Sequence, residues 1–139
     1  MTATEAEGLL FGLPVRLMRL REAVASLRHL RQESDYPEQN YKDIHASKGR
    51  YSDPVSNYYV KCETLERFIQ KLSRDTTPVV NLRNKLRRSK NDHDHQLYMI
   101  LEMYYFDRSA VSMIAERLHI SEKTITRRRS ELVNMLTCQ

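Results

Sequence analysis

The sequence predicts an all-α protein, and three observations support this. Only three of the 139 residues are glycine, and no alternating run of β-branched residues extends beyond residues 124–126, which argues against strands. Apolar residues instead recur at steps of three and four along two long stretches. A shorter pattern of the same kind near the C-terminus is interrupted by a turn. We therefore expect an N-terminal heptad-patterned helical hairpin followed by a C-terminal helix-turn-helix domain.

The first long stretch carries a heptad seam, the stripe of apolar residues that is typical of paired helices. Pro14 suits the first turn of a helix, where its missing amide hydrogen would have no partner in any case. We therefore expect this helix to open with Pro14 in its first turn. The seam residues are Leu10, Leu13, Leu17, Leu20, Val24 and Leu27.

Residues 34–53 lose this periodicity and collect turn formers, so we interpret them as a loop. A second helix is expected to follow, capped by Ser52 or Asp53 and carrying Pro54 in its first turn. Its seam residues are Val55, Tyr58, Cys62, Leu65, Ile69 and Leu72. The two seams can pack against each other as the core of a hairpin or against a second copy of the chain, so a homodimer is a further expectation.

A short basic helix is expected over residues 78–90. Pro78 cannot continue the preceding helix, and Thr77 can cap a new one. Basic side chains cover the outer faces of this segment, and no acidic residue lies between positions 83 and 90. Two interpretations stay open, namely a solvated surface and contact with phosphates. The candidate phosphate contacts are Arg83, Arg87 and Arg88.

The distribution of charge divides the chain into two parts. The formal net charge is +5, and residues 77–139 hold most of the surplus, whereas residues 1–76 are close to neutral. Clustered positive charge suggests an acidic partner such as a phosphate backbone. We therefore assign residues 1–76 to a helical hairpin for assembly or partner binding, and residues 77–139 to a helix-turn-helix domain that binds double-stranded DNA.

The helix-turn-helix pattern lies between Ser109 and the C-terminus. Ser109 is expected to cap the first helix, and Ala115 provides the small residue needed where two helices cross. Ser121 is expected to cap the second helix. His119 holds the turn position often given to glycine, so it must accept a left-handed or strained backbone. Residues expected to face the core from position 79 onward are Val79, Leu82, Leu86, Leu97, Ile100, Leu101, Tyr104, Tyr105, Val111, Ile114, Ala115, Leu118, Ile120, Ile125, Leu132 and Leu136.

Three adjacent arginines, Arg127, Arg128 and Arg129, lie on the second helix of this motif. Successive helical residues turn by about 100°, so the three side chains cannot share a face. If Ile125 points to the core, Arg127 lies roughly 160° away and faces outward. Arg128 and Arg129 then fall at the two edges of the buried face. A helix in the major groove needs this arrangement, with base-reading groups on its outer face and phosphate contacts at both edges.

The alternative is a locally neutralised helix surface, in which Arg127 pairs with Glu131 one turn further on. Such a pair contributes only about 0.2–0.5 kcal/mol, which is too little to hold Arg127 away from DNA. We therefore favour DNA contact. The predicted DNA-binding residues are Ser121, Lys123, Thr124, Thr126, Arg127, Arg128, Arg129 and Ser130.

The stretch "YYFDRSAVSMIAERLHISEKTITRRRSELVNML" resembles the C-terminal part of the RinA/ArpU group of phage transcriptional regulators. The matching features are the aromatic "YYF", "IAERL", "HIS" and the basic second helix, and they cover roughly the last 45 residues. The resemblance implies a helix-turn-helix similar to region 4 of bacterial sigma factors. It also implies activation of late phage genes at a promoter together with host RNA polymerase. Arg128 departs from the sigma-like pattern, which usually has an aliphatic residue there.

Other functions find little support in the sequence. No glycine-rich phosphate loop, HExxH or nucleophile motif is present, so we predict that the protein is not an enzyme. Cys62 and Cys138 lack metal-ligand spacing, and His93 and His95 are more typical of a polar helix start, so no metal and no cofactor are predicted. No apolar run approaches the roughly 18 residues that a membrane span requires. We expect no membrane association and a location in the bacterial cytoplasm.

Two further functions remain as alternatives. The protein could be a sigma-mimic whose helices bind RNA polymerase while its DNA contact is weak. It could also be a small packaging-terminase subunit, because such subunits combine oligomerising helices with a helix-turn-helix. Steep dependence of DNA binding on salt would favour the regulator, and a ring of many subunits in solution would favour the terminase.

Overall fold

The computed structural model describes residues 1–33 and 54–138, and almost all of these residues are helical. The helices are α1 (Ala3–Glu33), α2 (Pro54–Arg88), α3 (Asp92–Ile100), α4 (Val111–Leu118) and α5 (Glu122–Thr137). The segment Leu101–Phe106 extends α3 as a π-turn. The described residues include no strand, so the predicted all-α class is confirmed. The predicted loop over residues 34–53 lies outside the described residues, and no helix among those described is suited to crossing a bilayer.

Helix α1 begins well before Pro14, so the prediction that this residue opens the helix is wrong. The start is fixed by a capping box, in which the amide of Thr2 donates to Glu5 Oε2 and the amide of Glu5 donates to Thr2 Oγ1, both at 3.2 Å. Leu10 and Leu13, in the turn just before Pro14, are fully buried. Burial of this stripe maintains the helix through Pro14, although proline removes one backbone hydrogen bond.

Helix α2 continues through Pro78 to Arg88, so the predicted break and the predicted cap at Thr77 are also wrong. An interior proline costs about 3 kcal/mol. The buried stripe runs on without interruption on both sides of it, and each fully buried apolar side chain contributes about 1.5–3 kcal/mol. Several such residues therefore outweigh one proline. The buried residues of this stretch are Leu72, Thr76, Val79, Leu82 and Leu86.

The chain forms two compact units, Leu17–Ser73 and a unit that joins Met1–Arg16 to Arg74–Gln139. The second boundary lies close to the predicted one after residue 76. The first sixteen residues, however, belong to the unit of the helix-turn-helix pattern and not to the N-terminal region to which the sequence assigned them. The reason is burial, because Leu10 and Leu13 are part of that unit's core and Phe11 packs against its aromatic residues.

In the unit Leu17–Ser73, the end of α1 packs against the start of α2. Its buried core cluster consists of Leu27, Tyr58, Tyr59 and Cys62, with Leu30, Val55, Leu65 and Ile69 packed against them. Arg31 forms an ion pair with Glu66 across the two helices. Val24, predicted to lie in the seam, is exposed, and Ala23 is buried in its place. Ala23 lies one turn before the buried Leu27 and therefore on the same side of the helix.

The unit that joins residues 1–16 to residues 74–139 buries apolar side chains from every one of its helices. Helix α5 packs against both α3 and α4. Most of the side chains predicted to face the core from position 79 onward are buried. The buried apolar residues of the unit are Ala6, Leu10, Leu13, Val79, Leu82, Leu86, Leu97, Ile100, Leu101, Met103, Tyr105, Ile114, Ile125, Leu132 and Leu136.

Replacing Leu10 with alanine should show that α1 supports the C-terminal helices. We expect the free energy of unfolding to fall by about 2–5 kcal/mol, because the substitution leaves a cavity at a fully buried position of the unit that includes α5. Urea denaturation measures the loss, and amide hydrogen exchange should show reduced protection in α5. Met18→Ala, at a side chain that is 54 % exposed, is the control and should cost about 0.5 kcal/mol or less. Unchanged protection of α5 in Leu10→Ala would contradict the joint core.

Candidate nucleic-acid interface

The turn between α4 and α5 is formed by His119, Ile120 and Ser121. His119 adopts a left-handed backbone with φ 56° and ψ 43°, as the sequence required. The amide of Ile120 donates to the carbonyl of Ala115 at 3.1 Å, which closes α4 with a Schellman motif. This backbone geometry redirects the chain sharply, so that α5 can pack across α4.

The two caps predicted for these helices have different outcomes. Ser121 caps α5 as expected, because its Oγ accepts from the amide of Thr124 at 3.2 Å and lies 2.8 Å from Thr124 Oγ1. Ser109 does not cap α4, because the N-cap residue is Ala110 and its side chain makes no capping bond. The amide of Ser109 instead donates to the carbonyl of Met103 at 2.8 Å, which ties Ser109 to the end of the π-turn and moves the start of α4 by one residue.

The π-turn positions two tyrosines beneath the motif. Tyr105 is fully buried and Tyr104 is half-buried, and their rings meet edge to face at 4.9 Å. Phe11 of α1 packs on both, with ring centroids 4.7 Å from Tyr105 and 5.5 Å from Tyr104. Burial raises the pKa of the Tyr105 hydroxyl above its ordinary value, and the nearby charge of Arg129 offsets this only in part. These tyrosines therefore serve the core, so they are not free to stack on bases.

Helix α5 has a buried side and an exposed side, as its sequence predicted. Ile125 and the later leucines of α5 face the core. Four exposed side chains on the opposite side, all in the first nine residues of α5, form what we call the outer face. They are Lys123, Thr126, Arg127 and Ser130. The hydroxyls of Thr126 and Ser130 donate to backbone carbonyls one turn earlier, at 3.2 Å each, which leaves their lone pairs available as acceptors.

Arg127 reaches outward and has no hydrogen-bond or ion-pair partner among the residues that the structure describes, and the same is true of Lys123. The alternative in which Arg127 pairs with Glu131 is not observed. Glu131 instead accepts from Arg128 and from His93. The positive charge on the outer face is therefore not neutralised by its own helix.

Arg128 has partners on two helices. Its Nε donates to Gln96 Oε1 of α3 at 2.7 Å, and its Nη1 donates to Glu131 Oε1 at 2.7 Å. Its side chain is only 20 % exposed. The predicted position at the edge of the buried face is confirmed, but the guanidinium is used to join α5 to α3. These two partners explain how a charged side chain is accommodated at a mostly buried position.

Arg129 is held in a similar way on the opposite edge of α5. Its Nη2 donates to Glu7 Oε1 at 2.8 Å, and its guanidinium carbon lies 3.9 Å from the ring centroid of Tyr104. Burial lowers the pKa of Arg129, but the adjacent tyrosines and Glu7 outweigh this effect and raise it, so the guanidinium stays charged. Its Nε and the Tyr105 hydroxyl are buried without a hydrogen-bond partner of good geometry among the described residues.

Glu131 is the centre of a charged network between α3 and α5. His93 Nε2 donates to Glu131 Oε2 at 2.6 Å, and Arg128 holds the other oxygen. Burial raises the pKa of Glu131, but these two donors outweigh it and lower the pKa below its ordinary value of 4.5. His93 follows the N-cap residue Asn91, as expected for a polar helix start. The described residues contain no group of three acidic, histidine or cysteine side chains arranged to hold a metal ion.

The basic end of α2 contributes two different kinds of arginine. Arg83 forms an ion pair with Glu102 and lies over the ring of Phe106, with 4.3 Å from its guanidinium carbon to the ring centroid. Arg83 therefore fixes α2 to the π-turn. Arg87 and Arg88, in contrast, are exposed in the last turn of α2. Of the three phosphate contacts predicted there, only these two reach solvent freely.

No family model, curated protein or solved structure matches this chain. The candidate interface is therefore defined only by the contacts within this chain. The sequence interpretation missed Glu7, Gln96 and Glu102 as partners of the predicted arginines. The spacing of Arg128 and Glu131 is a local signal that indicates their pair, but no local spacing connects Glu7 to Arg129, which is 122 positions away.

Replacing His119 with glycine should stabilise the turn. A non-glycine residue pays about 1–2 kcal/mol for a left-handed backbone, and glycine loses part of this gain through the flexibility of its unfolded chain. We therefore expect the free energy of unfolding to rise by on the order of 0.5–1 kcal/mol. His119→Ala removes the imidazole without relieving the backbone and should bring no gain. Equal effects of the two substitutions in thermal unfolding would mean that the turn is not strained.

The lowered pKa of Glu131 predicts a pH-dependent contribution to stability. Because the folded-state pKa lies below 4.5, the carboxylate stabilises the fold above that pH. This contribution is lost as the pH falls through the folded-state pKa. Glu131→Gln should therefore unfold at a lower temperature than the wild type at pH 7, and the two midpoints should converge in acid below pH 4.5. Glu116→Gln, at an exposed residue of α4, is the control. A constant difference between Glu131→Gln and wild type across this range would argue against the network.

Proposed function

We propose that the protein is a sequence-specific DNA-binding regulator of transcription that inserts α5 into the major groove of double-stranded DNA. The observation that carries this proposal is the outer face of α5, which presents Lys123, Thr126, Arg127 and Ser130 to solvent on the helix that follows the turn at residues 119–121. A helix of this size fits the major groove. The opposite side of α5 is fixed to α3 and α4 by apolar packing and by Arg128.

The chemistry of the outer face suits the edges of bases. Arg127 has the paired donors that match guanine O6 and N7. Thr126 and Ser130 retain acceptor positions on their hydroxyls, and the methyl group of Thr126 can contact thymine. Lys123 lies one turn before Arg127, where it suits a phosphate or a base. These groups favour direct reading of sequence over purely electrostatic attraction.

Phosphate contacts are assigned first to the basic side chains that lack internal partners within the described residues. Arg87 and Arg88 are exposed at the end of α2 and are proposed to contact the DNA backbone. Ser121 and Thr124, at the start of α5, are suited to a phosphate near the helix N-terminus. Arg83, Arg128 and Arg129 are engaged within the fold, so we propose that they contribute charge near the DNA without direct contact.

The finer assignment rests on the resemblance of residues 104–136 to RinA/ArpU-type regulators. We propose that the protein activates late phage genes in the cytoplasm of a bacterial host, with host RNA polymerase as a second partner and with pairing of two copies on the DNA. A catalytic role and a cofactor are not part of the proposal.

The decisive experiment is selection of duplexes from a random pool by the purified full chain, followed by titration at several salt concentrations. We expect an enriched sequence, and an affinity that falls steeply with salt because phosphate contacts release counterions. Binding without any preferred sequence would contradict the proposal. Weak DNA binding combined with stable binding to RNA polymerase would favour the sigma-mimic, and a ring of many subunits would favour the terminase.

Arg127 should contribute directly to sequence preference. Arg127→Ala is expected to weaken binding to the selected duplex by about 1–3 kcal/mol and to relax the preference at one base position. Fluorescence titration against the selected duplex and single-base variants measures both effects. Arg67→Ala removes the same charge from an exposed position of α2 outside the proposed interface, and it should leave the preference unchanged. Equal losses for Arg127→Ala on all duplexes would mean that α5 does not read bases.

A further inference from the structure

Arg129 is enclosed by groups from two other parts of the chain. Glu7 of α1 accepts from its Nη2 at 2.8 Å, and the ring of Tyr104 covers the guanidinium at 3.9 Å from its centroid. The side chain is 23 % exposed. A guanidinium that already uses one edge for a carboxylate and one face for an aromatic ring has little left to offer a phosphate. Arg129 is therefore a poor phosphate contact, although it lies next to Arg127.

The start of α1 lies directly beside the outer face of α5. Together they line a groove of about 370 Å³. Its α1 side is formed by Ala3, Thr4 and Glu7. The α5 side of the groove is lined by Thr126, Arg129, Ser130, Val133 and Asn134. Two of these residues, Thr126 and Ser130, belong to the outer face. A change in the position of α1 relative to α5 would therefore act on the residues proposed to read DNA.

A second contact ties the same part of α1 to the helix-turn-helix. Phe11 lies one turn after Glu7 and packs edge to face on Tyr105, with ring centroids 4.7 Å apart. Tyr104 lies between Phe11 and Arg129, since it contacts the ring of the first and the guanidinium of the second. The ion pair and the aromatic cluster therefore form one continuous connection from α1 through the π-turn to α5.

We propose that Glu7 is a positioning residue for the DNA-reading helix. Through Arg129 it fixes the orientation of α5 against α1, so that the segment Ala3–Arg16 determines which duplex the outer face prefers. This inference rests on the proposed DNA-binding function. Arg129 then orients the helix that carries Arg127 and is not a phosphate contact. Helix α1 becomes part of the unit that reads the DNA sequence.

The test compares four variants of the full chain on the selected duplex and on a scrambled one, at several salt concentrations. They are Glu7→Gln, Arg129→Gln, the double variant, and the control Glu5→Gln. Glu5→Gln removes the same charge from the same turn of α1, and glutamine preserves the capping box. We expect Glu7→Gln and Arg129→Gln each to reduce the preference for the selected duplex by about three- to ten-fold, and the double variant to lose no more than either. The salt slope should stay unchanged, and Glu5→Gln should keep the preference.

Other outcomes would overturn the inference. If Arg129→Gln weakens binding to both duplexes equally and lowers the salt slope by about one unit, Arg129 is a phosphate contact. If Glu7→Gln behaves like Glu5→Gln, α1 does not position α5. If Arg129→Gln fails to fold, as thermal unfolding would show, Glu7→Gln and Arg129→Lys carry the test. Failure of the proposed function is seen separately, because the wild type would then show no preference for any duplex.

Discussion

The packing of Phe11 against Tyr104 and Tyr105 is the interaction on which the unit of residues 1–16 and 74–139 depends. It brings the start of α1 onto the π-turn, and the π-turn in turn contacts α4 and, through Tyr104 and Arg129, α5. Tyr105 is completely buried, and its hydroxyl lacks a partner of good geometry within the described residues. An unsatisfied buried hydroxyl is unfavourable. The apolar and aromatic contacts of the ring must offset this cost, so the position of Phe11 is under strong energetic constraint.

Burial also explains where the sequence predicted the helices wrongly. Pro14 and Pro78 are local signals for a helix start, and both lie inside long helices. The apolar stripe continues past each of them, and its burial contributes more than a proline costs. The all-α class and most core positions were predictable, because they depend on periodicity. The helix boundaries depend on which apolar stripes are buried against other helices, and those helices are distant in sequence.

The outer face of α5 was predictable from residues 121–130 alone, because a helix repeats regularly and Ile125 fixes its inner side. It was not predictable from these residues whether the neighbouring arginines are paired within the fold. Arg128 donates to Gln96 and Arg129 to Glu7, and these contacts join parts of the chain that no spacing rule connects. A row of basic residues in a sequence gives the total charge of a surface. The fold decides which of those charges remain available to a ligand.

The unit that contains α5 is assembled from both ends of the described chain, and this has a consequence for biosynthesis. Translation makes the segment Met1–Arg16 before its partners, since Arg129 lies 122 positions after Glu7. Leu10, Leu13 and Phe11 therefore have no native core to enter until those later residues have been made. Closing so long a loop costs conformational entropy before any contact repays it. Until then the apolar side chains of this segment stay exposed on the nascent chain, where Glu5 and Glu7 are its only acidic residues.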